Sequence, residues 1–452
     1  IRDAQESRGL GDVYKRQPLI LPCDVGTGVI VEWDPATGTV TITGDDENNI
    51  VVLDVVEVTE GEFREAVEED LEADPPVLGV PADPPADGYY LTVNGQHCPA
   101  PPVVYPGSAG IPANQVTAII INTNGGNDII SAINGDGSEG LLDVTDEDPP
   151  LLYGLDIFVD AGDGDDRIFG GHGDDFIFGG PGDDFIHGDR GADTLDGGDG
   201  TDTLDYGLIG DTEGTRGARV DLPNNTATDP EFPFFGFLAA TTDTLAGTSF
   251  EIVYGCERGD VIIGNTDLST RIYGLEGDDT LNGGNSGDFI FGGEGNDTID
   301  AGEGDNGSEE EPIDGGEGDD RITAGSGNDW ISGGADNDTI RSGDGNDRVW
   351  GDGLNPNDDQ ISGNDRIVLG DGNDLAFGGP GDDFIDCGPG DDGTEEQPVE
   401  GNAGSDIILG GPGNDWIDAG ADDDGNRDDD IPVDGGPGND TIWGGGGNDY
   451  IS

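Results

Sequence analysis

Over residues 161–205, and again in blocks from residue 274 onward, one aliphatic residue recurs at every ninth position, set among glycines and acidic residues. Residues 170–187 read GGHGDDFIFGGPGDDFIH, with glycine at positions 1, 2 and 4, aspartate at position 6 and isoleucine at position 8. So much glycine is unsuited to a helix, but it suits a six-residue turn followed by a three-residue strand whose position 8 points inward. We therefore predict an all-β fold of short strands stacked coil upon coil.

Eighteen well-formed units follow this pattern. They begin at Ala161, Gly170, Gly179, Gly188, Gly197, Gly274, Gly283, Gly292, Gly315, Ala324, Gly333, Ser342, Leu369, Gly378, Gly401, Gly410, Gly435 and Gly444. Three further units, at 301–314, 387–400 and 419–434, carry an acidic insertion, and the register resumes after each one. A solenoid tolerates such insertions because an excursion from one turn leaves the stacking of its neighbours intact.

Two consecutive units are predicted to form one coil. Alternate units would then place Ile168, Ile186 and Leu204 on one sheet, and Ile177 and Leu195 on the facing sheet. Stacking in register would align the position-6 aspartates in rows along the turns.

The chain before the repeats has a different pattern. Residues 1–17 resemble a translated sequencing adapter and are predicted to be a non-native leader. Residues 18–116 form a β-rich N-terminal region, in which ten of the chain's 27 prolines lie between 75 and 112. After it we place a first repeat block at 117–205, a linking coil with an insertion at 206–263, and a second repeat block at 264–452 that we expect to be truncated.

The charge of the chain changes this picture. There are 16 basic and 100 acidic residues, a net charge of −84, and 32% of the residues are hydrophobic. Such a composition lies close to the disordered class unless something neutralises the carboxylates. Nucleic acid is disfavoured as a partner because both surfaces would be negative, and no apolar run approaches the roughly 18–20 residues of a membrane span. Cations are the expected ligands.

The repeat residues point to Ca²⁺, bound at many turns. Stacked carboxylates repel one another unless a cation lies between them, and turn glycines can direct carbonyl oxygens inward to complete the six to eight oxygens that Ca²⁺ prefers. Three histidines and no CxxC pair disfavour softer metals. The alternative, in which the motif only makes good turns and its charge is solvated, does not need eighteen units in nearly one frame.

The expected metal ligands are side chains at position 6 and backbone carbonyls at the turn glycines. The position-6 residues are Asp166, Asp175, Asp184, Asp193, Asp202, Asp279, Asp288, Asp297, Asp320, Asp329, Asp338, Asp347, Asp365, Asp374, Asp383, Asp406, Asp415, Asp440 and Asp449. The glycines are Gly162, Gly164, Gly171, Gly173, Gly180, Gly182, Gly293, Gly295, Gly316, Gly318, Gly325, Gly327, Gly379, Gly381, Gly411, Gly413, Gly436 and Gly438.

With these residues the sequence resembles the repeats-in-toxin (RTX), or haemolysin-type, calcium-binding family, over about residues 118–452. The resemblance rests on the GGxGxDxUx nonapeptide. It implies a right-handed parallel β-roll, Ca²⁺ held in the turns by position-6 aspartates and turn carbonyls, export through a type I secretion apparatus, and folding outside the cell. The pattern is broken at 255–273 and 351–368, which leaves open whether those turns bind an ion, and the same holds for the expanded units.

No catalytic signature is found in the sequence. HExxH and GxSxG motifs are absent, and His97, His172 and His187 stand beside no recognisable nucleophile or zinc spacing. We predict that His172 and His187 are solvated and that the chain is not an enzyme. A Cys23–Cys98 disulfide is left open, since buried free thiols are common.

Aromatic residues recur at positions 7 and 9, where the pleat points outward. They include Phe176, Phe178, Phe185, Phe289, Phe291, Trp330, Trp350, Trp416 and Trp443. They either bind a glycan or another cell-surface partner or simply cover the sheets, and the second interpretation is favoured. The segment EFPFFGFL is expected to pack on the roll, and the acidic loops at 309–311, 422–424 and 428–430 are expected to be solvated.

The sequence thus predicts a secreted, extracellular calcium-binding protein with a structural or adhesive role at a cell surface. The alternative is the calcium-dependent secretion and folding module of an exported enzyme or pore-forming toxin whose effector domain is missing.

Overall fold

The protein's structure is a computed structural model. It describes residues 30–34, 39–43, 50–58, 88–95, 111–112, 118–123, 126, 128–131, 156–171, 173–188, 191–207, 218–228, 242–245, 250–353, 362–422, 424–425 and 433–452. The predictions for residues 1–17, the Cys23–Cys98 pair, His97, His172, EFPFFGFL and the acidic loop at 428–430 lie outside these residues.

The described chain is built almost wholly from short strands. In chain order they are β1 (Ile30–Asp34), β2 (Thr39–Thr43), β3 (Ile50–Val58), β4 (Gly88–Gly95), β5 (Ile111–Pro112), β6 (Ala118–Asn122), β7 (Ile129–Ser131), β8 (Ile157–Asp160), β9 (Arg167–Phe169), β10 (Phe176–Pro181), β11 (Phe185–His187), β12 (Thr194–Asp199), β13 (Thr203–Asp205), β14 (Arg219–Asp221), β15 (Thr226–Thr228), β16 (Thr242–Leu245), β17 (Ile252–Tyr254), β18 (Val261–Ile263), β19 (Arg271–Glu276), β20 (Thr280–Gly284), β21 (Phe289–Glu294), β22 (Thr298–Gly302), β23 (Ile313–Glu317), β24 (Arg321–Ser326), β25 (Trp330–Ala335), β26 (Thr339–Asp344), β27 (Arg348–Asp352), β28 (Arg366–Val368), β29 (Leu375–Pro380), β30 (Phe384–Asp386), β31 (Val399–Ala403), β32 (Ile407–Leu409), β33 (Trp416–Asp418) and β34 (Thr441–Trp443). A single 3₁₀ turn is described, at Leu222–Asn224. No helix among the described residues has the length and apolar character needed to cross a membrane.

The chain forms two compact units, and the first comprises Ile1–Gly210 with Thr241–Phe250. Its strands stack as two parallel ladders, β2–β6–β8–β10–β12–β16 and β3–β7–β9–β11–β13. Strands β1, β4 and β5 add antiparallel pairings at its beginning. Parallel stacking therefore begins at β2 and β3, earlier in the chain than the repeat motif that starts near residue 118.

The second unit comprises Asp211–Ala240 with Glu251–Ser452. One of its parallel ladders runs β14–β18–β20–β22–β24–β26–β28–β30–β32. The other runs β17–β19–β21–β23–β25–β27–β29–β31–β33–β34. The parallel direction of the strands and the alternation of units between two ladders confirm the predicted all-β parallel β-roll. The right-handedness of the roll and the domain boundaries stay predictions.

The aliphatic residues at position 8 form the core. Ile186 is paired with Ile168 and Leu204 in one ladder, while Ile177 is paired with Leu195 in the other, as predicted. All five are fully buried. Burying one such side chain contributes about 1.5–3 kcal/mol, so one aliphatic residue per nine gives a thin core that needs support from the turns.

In many units the strand is longer than the three residues that the sequence predicts. β10 begins at position 7 and continues through Gly179 and Gly180 to Pro181, and Gly180 is paired with Gly198 in the next coil. The glycine at position 2 has φ of 118°, and a Cβ on it would collide with the Gly162 carbonyl of the preceding coil. Because glycine allows this approach, the ladder extends into what the sequence alone suggested was a turn.

Outward-facing aromatic residues form stacks along the coils. Trp350 lies between Trp330 and Phe377, with ring centroids 5.7 Å away on each side and planes within 19°. The Arg348 guanidinium lies 4.5 Å from the Trp330 ring centre. Most of these rings are only partly exposed, although Phe176 and Trp443 are 47% and 40% exposed. The predicted outward direction is therefore confirmed, and the broad faces of the stacked rings are largely taken up by one another.

Candidate calcium sites in the turns

The position-6 residues form continuous hydrogen-bonded rows along the turns. In the first unit the Asp166 amide donates to Asp184 Oδ1 at 2.8 Å, and the Asp184 amide donates to Asp202 Oδ1 at 2.9 Å. In the facing row the Asp175 amide donates to Asp193 Oδ1 at 2.8 Å. Each side chain therefore holds the position-6 backbone of the preceding coil.

Two such rows run through the second unit. One contains Asp260, Asp279, Asp297, Asp320, Asp338, Asp365, Asp383, Asp406, Asp424 and Asp449. The other contains Thr270, Asp288, Asn306, Asp329, Asp347, Asp374, Asp392, Asp415 and Asp440. The structure thus brings all nineteen predicted position-6 aspartates into rows, and Asp440 and Asp449 are more exposed than the rest.

The second carboxylate oxygen of most of these residues is buried without a hydrogen-bond donor. This holds for Oδ2 of Asp166, Asp184, Asp279, Asp288, Asp297, Asp320, Asp329, Asp338, Asp365, Asp374, Asp383, Asp392, Asp406 and Asp415. A buried charge is strongly unfavourable unless it is paired or bound to a metal. One free oxygen in each of these fourteen turns is therefore the feature that a bound cation would explain.

The glycine at position 1 keeps a backbone oxygen beside that carboxylate. A Cβ on Gly170 would lie 2.6 Å from the Gly188 carbonyl oxygen and 2.7 Å from Asp175 Oδ2. At Gly410 the corresponding distances are 2.8 Å to the Gly435 oxygen and 2.7 Å to Asp415 Oδ2. Carboxylate and carbonyl oxygens thus converge beside these position-1 glycines, and hard oxygen donors of this kind fit Ca²⁺.

Asn306 supports this interpretation, because it stands in an aspartate row with an amide in place of a carboxylate. Its Oδ1 accepts the Asp288 amide at 2.9 Å, as an aspartate would. Its Nδ2 donates to the carbonyl oxygens of Gly304 at 3.1 Å and Ala324 at 3.2 Å. The Nδ2 group thus places its N–H donors between two backbone oxygens. An aspartate has no such donor, so a bound cation would take that place in the aspartate turns.

Burial raises the pKa of these carboxyl groups. The pKa of Asp320 and of Asp329 rises to about 7, and that of Asp338 and of Asp383 to about 9. Loss of hydration is the main cause, and the charges of neighbouring carboxylates in the same row add to it. Without a cation the rows therefore resist ionisation at neutral pH.

Six row members were missed by the sequence analysis, among them Thr270 where the motif is broken. Asp392, Asp424 and Asn306 lie inside the expanded units, as the sixth residues of CGPGDD, AGADDD and AGEGDN. Those hexapeptides keep the spacing and could have been recognised by it. Asp128 and Asp260 lie in GGND and CERGD, which retain only the second half of the motif.

The turn at Asp260 differs from the others. Its Oδ2 accepts the Cys256 amide at 2.7 Å, while its Oδ1 accepts the Ala218 amide at 2.5 Å and the Cys256 thiol at 3.2 Å. The following turn has Thr270 at position 6, whose hydroxyl oxygen accepts the Asn265 amide at 2.9 Å. Protein donors therefore satisfy both turns in the region where the motif is broken.

The predicted glycines lie where the turns need them, and many have a backbone conformation open mainly to glycine. Positive φ angles occur at Gly162, Gly164, Gly171, Gly180, Gly182, Gly293, Gly295, Gly316, Gly318, Gly325, Gly327, Gly379, Gly411 and Gly436, and not at Gly173, Gly381, Gly413 or Gly438. That their carbonyls are calcium ligands stays a prediction.

One prediction about a polar residue is wrong, and another holds only in part. His187 is buried rather than solvated, because the next coil covers it and its Nδ1 lies 2.7 Å from the Asp205 carbonyl oxygen. In the acidic loops Glu309, Glu310 and Asp422 are exposed as predicted, whereas Asp424 is buried in a row and Glu311 forms an ion pair of 2.6 Å with Arg271. Among the described residues no three His, Cys, Asp or Glu side chains converge on one point, as expected where each turn supplies one carboxylate and backbone oxygens supply the rest.

Comparison with protein families agrees with this geometry. A family model described as the RTX calcium-binding nonapeptide repeat matches residues 158–186, 178–208, 273–307, 313–353, 361–393, 399–431 and 433–452. The chain is an RTX repeat protein. A search of curated proteins found no match.

Membership of the RTX family establishes the general function of the chain. The matched family is a calcium-binding repeat, so the chain is a calcium-binding repeat protein. The repeat is a structural unit rather than a catalytic domain.

Proposed function

We propose that Ca²⁺ bound in the turns drives folding of this chain and holds its β-roll together outside the cell. The observation that supports the proposal most directly is the row of buried carboxylate oxygens without donors. Asp320, Asp338 and Asp383 are examples from one row, each with Oδ1 engaged by the backbone and Oδ2 free.

The residues that would hold the ion follow from the same contacts. Most aspartate turns offer the position-6 Oδ2, and the position-1 carbonyl of the next coil lies beside it, as that of Gly188 does beside Asp175. The Asn306 amide adds the position-4 carbonyl of its own turn, that of Gly304. Bound Ca²⁺ would supply positive charge to these oxygens and so remove the repulsion between stacked carboxylates.

An extracellular location follows from the calcium supply. Sites in extracellular modules typically have dissociation constants of about 10⁻⁴ to 10⁻³ M, far above cytosolic calcium. The chain would therefore remain unfolded before export and fold afterwards. Export by a type I secretion apparatus is part of this proposal.

We propose a structural or adhesive role for the folded roll. Exposed side chains on the outward faces, such as Phe176 and Trp443, would contact a glycan or another cell-surface partner in this role. The second candidate, a folding module attached to an exported enzyme or toxin, shares the calcium mechanism and differs in what accompanies it. Hydrolysis of casein or of an ester by the purified chain would favour that second candidate.

The direct test is circular dichroism of residues 118–452. We expect a coil spectrum in chelator and β-structure in millimolar Ca²⁺, with Mg²⁺ a poor substitute because it requires near-octahedral geometry and keeps its waters. A complete β-signal in chelator, or an equal response to Mg²⁺, would contradict the proposal.

A further inference from the structure

Asp352 is a buried acid that the repeat pattern does not explain. It stands at position 2 of the turn that ends at Asp365, and it is paired in the ladder with Gly334. The corresponding residues of the neighbouring coils, Gly334 and Gly379, have positive φ angles of 113° and 107°, whereas Asp352 does not. The chain here exchanges a glycine for a carboxylate and changes its backbone conformation to accommodate it.

The carboxylate of Asp352 points into the turn. The residue is 3% exposed, and neither of its oxygens is in hydrogen-bonding geometry with a donor. Its Oδ2 occupies the space into which a Cβ on Gly379 of the next coil would project. The Gly363 backbone amide is the donor that partly offsets the burial of this acid, but neither oxygen of Asp352 forms a hydrogen bond with it in normal geometry.

A second free carboxylate oxygen and a backbone oxygen lie in the same turn. A Cβ on Gly351, the residue next to Asp352, would collide with both Asp365 Oδ2 and the Gly378 carbonyl oxygen. Asp365 Oδ2 has no hydrogen-bond donor either. Among the described residues, an ordinary turn has one buried carboxylate beside backbone oxygens, whereas this turn has two, those of Asp352 and Asp365.

The charge of Asp352 acts on neighbouring carboxyl groups of the row. It is among the groups that raise the pKa of Asp338 and of Asp383, the position-6 residues of the coils before and after. No ion pair involving Asp352 is found in the described part of the chain. The turn therefore holds two buried carboxyl groups that both keep an oxygen outside hydrogen-bonding geometry with any donor.

We propose that Asp352, Asp365 and the Gly378 carbonyl form a calcium site that binds more tightly than the ordinary repeat turns. The proposal rests on the function proposed above, that the turns bind Ca²⁺, and adds a site of higher charge. Calcium affinity rises with the number of charged ligands and with the rigidity of the site. Since affinity differences among related sites lie mostly in the dissociation rate, the added carboxylate should delay release.

The test measures calcium release from the full chain. The chain is saturated with Ca²⁺ and mixed in a stopped-flow instrument with a fluorescent chelator in excess over the total calcium. For the unaltered chain we expect about one ion per chain in a phase roughly tenfold slower than the others. In Asp352→Gly, which restores the residue found in neighbouring turns, and in Asp352→Asn, the slow phase should disappear.

A matched variant controls for the loss of one charge. Asp300 lies on an exposed outward position of β22, so Asp300→Asn should keep the slow phase. Circular dichroism in saturating Ca²⁺ verifies that each variant is folded. Release of all calcium in one phase by the unaltered chain, or a slow phase that persists in Asp352→Gly, would overturn the assignment of this site alone. Failure of every form to bind Ca²⁺ would instead refute the proposed function as well.

Discussion

Asn306 and Asp329 are neighbours in one row of turns and differ at one atom of the side chain. The Asp329 Oδ1 accepts the Asn306 amide at 2.8 Å, and its Oδ2 is left without a donor. Asn306 has an NH₂ group at that place, bonded to two carbonyl oxygens. One side-chain atom therefore decides whether a turn is complete by itself or needs a cation.

Single substitutions at Asn306 and at Asp329 test that argument. Asn306→Asp should add one bound calcium ion per chain and raise the calcium concentration at the folding midpoint. Asp329→Asn should bind one ion fewer yet stay close to wild-type stability in saturating Ca²⁺. Asp329→Ala, which leaves the same oxygens unsatisfied, should cost about 1–3 kcal/mol. Equilibrium dialysis with radioactive calcium counts the ions, and equal losses in Asn and Ala variants would contradict the prediction.

The raised pKa values predict how pH acts on the metal-free chain. Burial raises the pKa of Asp374 and Asp406 from about 4 to about 7, so the folded form binds more protons than the unfolded chain between these values. Stability from these groups is therefore fully present below pH 4 and is lost as pH rises through 7. In chelator, the β-signal should grow on acidification from pH 8 to pH 4. At a fixed low calcium concentration acidification should instead weaken calcium binding, because protons and Ca²⁺ compete for the same oxygens. A metal-free β-signal that is greater at pH 8 than at pH 4 would show the sign to be wrong.

Asparagine and aspartate at position 5 form a second ladder that the sequence analysis left without a role. The Asp183 amide donates to Asp165 Oδ1 at 3.0 Å, and the Asn346 amide donates to Asn328 Oδ1 at the same distance. These bonds run from one coil back to the preceding one, opposite in direction to those of position 6. The two ladders together tie each turn to both of its neighbours, and the position-5 ladder does so without a buried free oxygen.

The period of nine was enough to predict the elements and most of the rows. It placed position 8 in the core and position 6 in the turns because each of those positions repeats one residue type. It could not reveal His187 as buried, since position 9 faces outward in general and the contacts of this residue with Asp205 and Phe169 depend on the side chains of neighbouring coils. It also could not show that Cys256 completes the Asp260 turn, because that pairing depends on the side chain's direction.

Aromatic stacking predicts a structural role for most outward rings. Both faces of Trp350 are covered, by Trp330 and Phe377, so a sugar ring has no free face to stack on. Trp350→Ser should therefore destabilise the calcium-bound roll by about 1–3 kcal/mol in urea unfolding, since two aromatic contacts are lost. Attachment to cells or glycans should be unchanged when the variant is folded.

Trp443 provides the comparison, because it is 40% exposed and contacts one aromatic ring, that of Trp416. Trp443→Ser should destabilise the roll less than Trp350→Ser. If Trp350→Ser instead weakened attachment without changing stability, the outward rings would be a partner surface.

Taken over the whole molecule, the charge makes folding and calcium binding one process. One ion at each of eighteen well-formed turns would add +36 to a net charge of −84, and would do so where the carboxylates lie closest. The thin core contributes too little burial to offset both chain entropy and this repulsion. Because the contacts of one turn include the next coil, filling one turn should favour filling its neighbour, and folding should be cooperative in calcium.

Monovalent salt separates site binding from simple screening of charge. At about 1 M NaCl the Debye length is about 3 Å, so repulsion between exposed carboxylates is largely removed. Buried oxygens such as Asp338 Oδ2 are screened much less and still lack a ligand. We expect that 1 M NaCl in chelator leaves the chain expanded and without β-structure, whereas millimolar Ca²⁺ at low salt produces both compaction and the β-signal. Small-angle X-ray scattering and circular dichroism on the same samples measure the two effects. Folding in NaCl alone would mean that general repulsion, and not an unfilled site in each turn, keeps the chain unfolded.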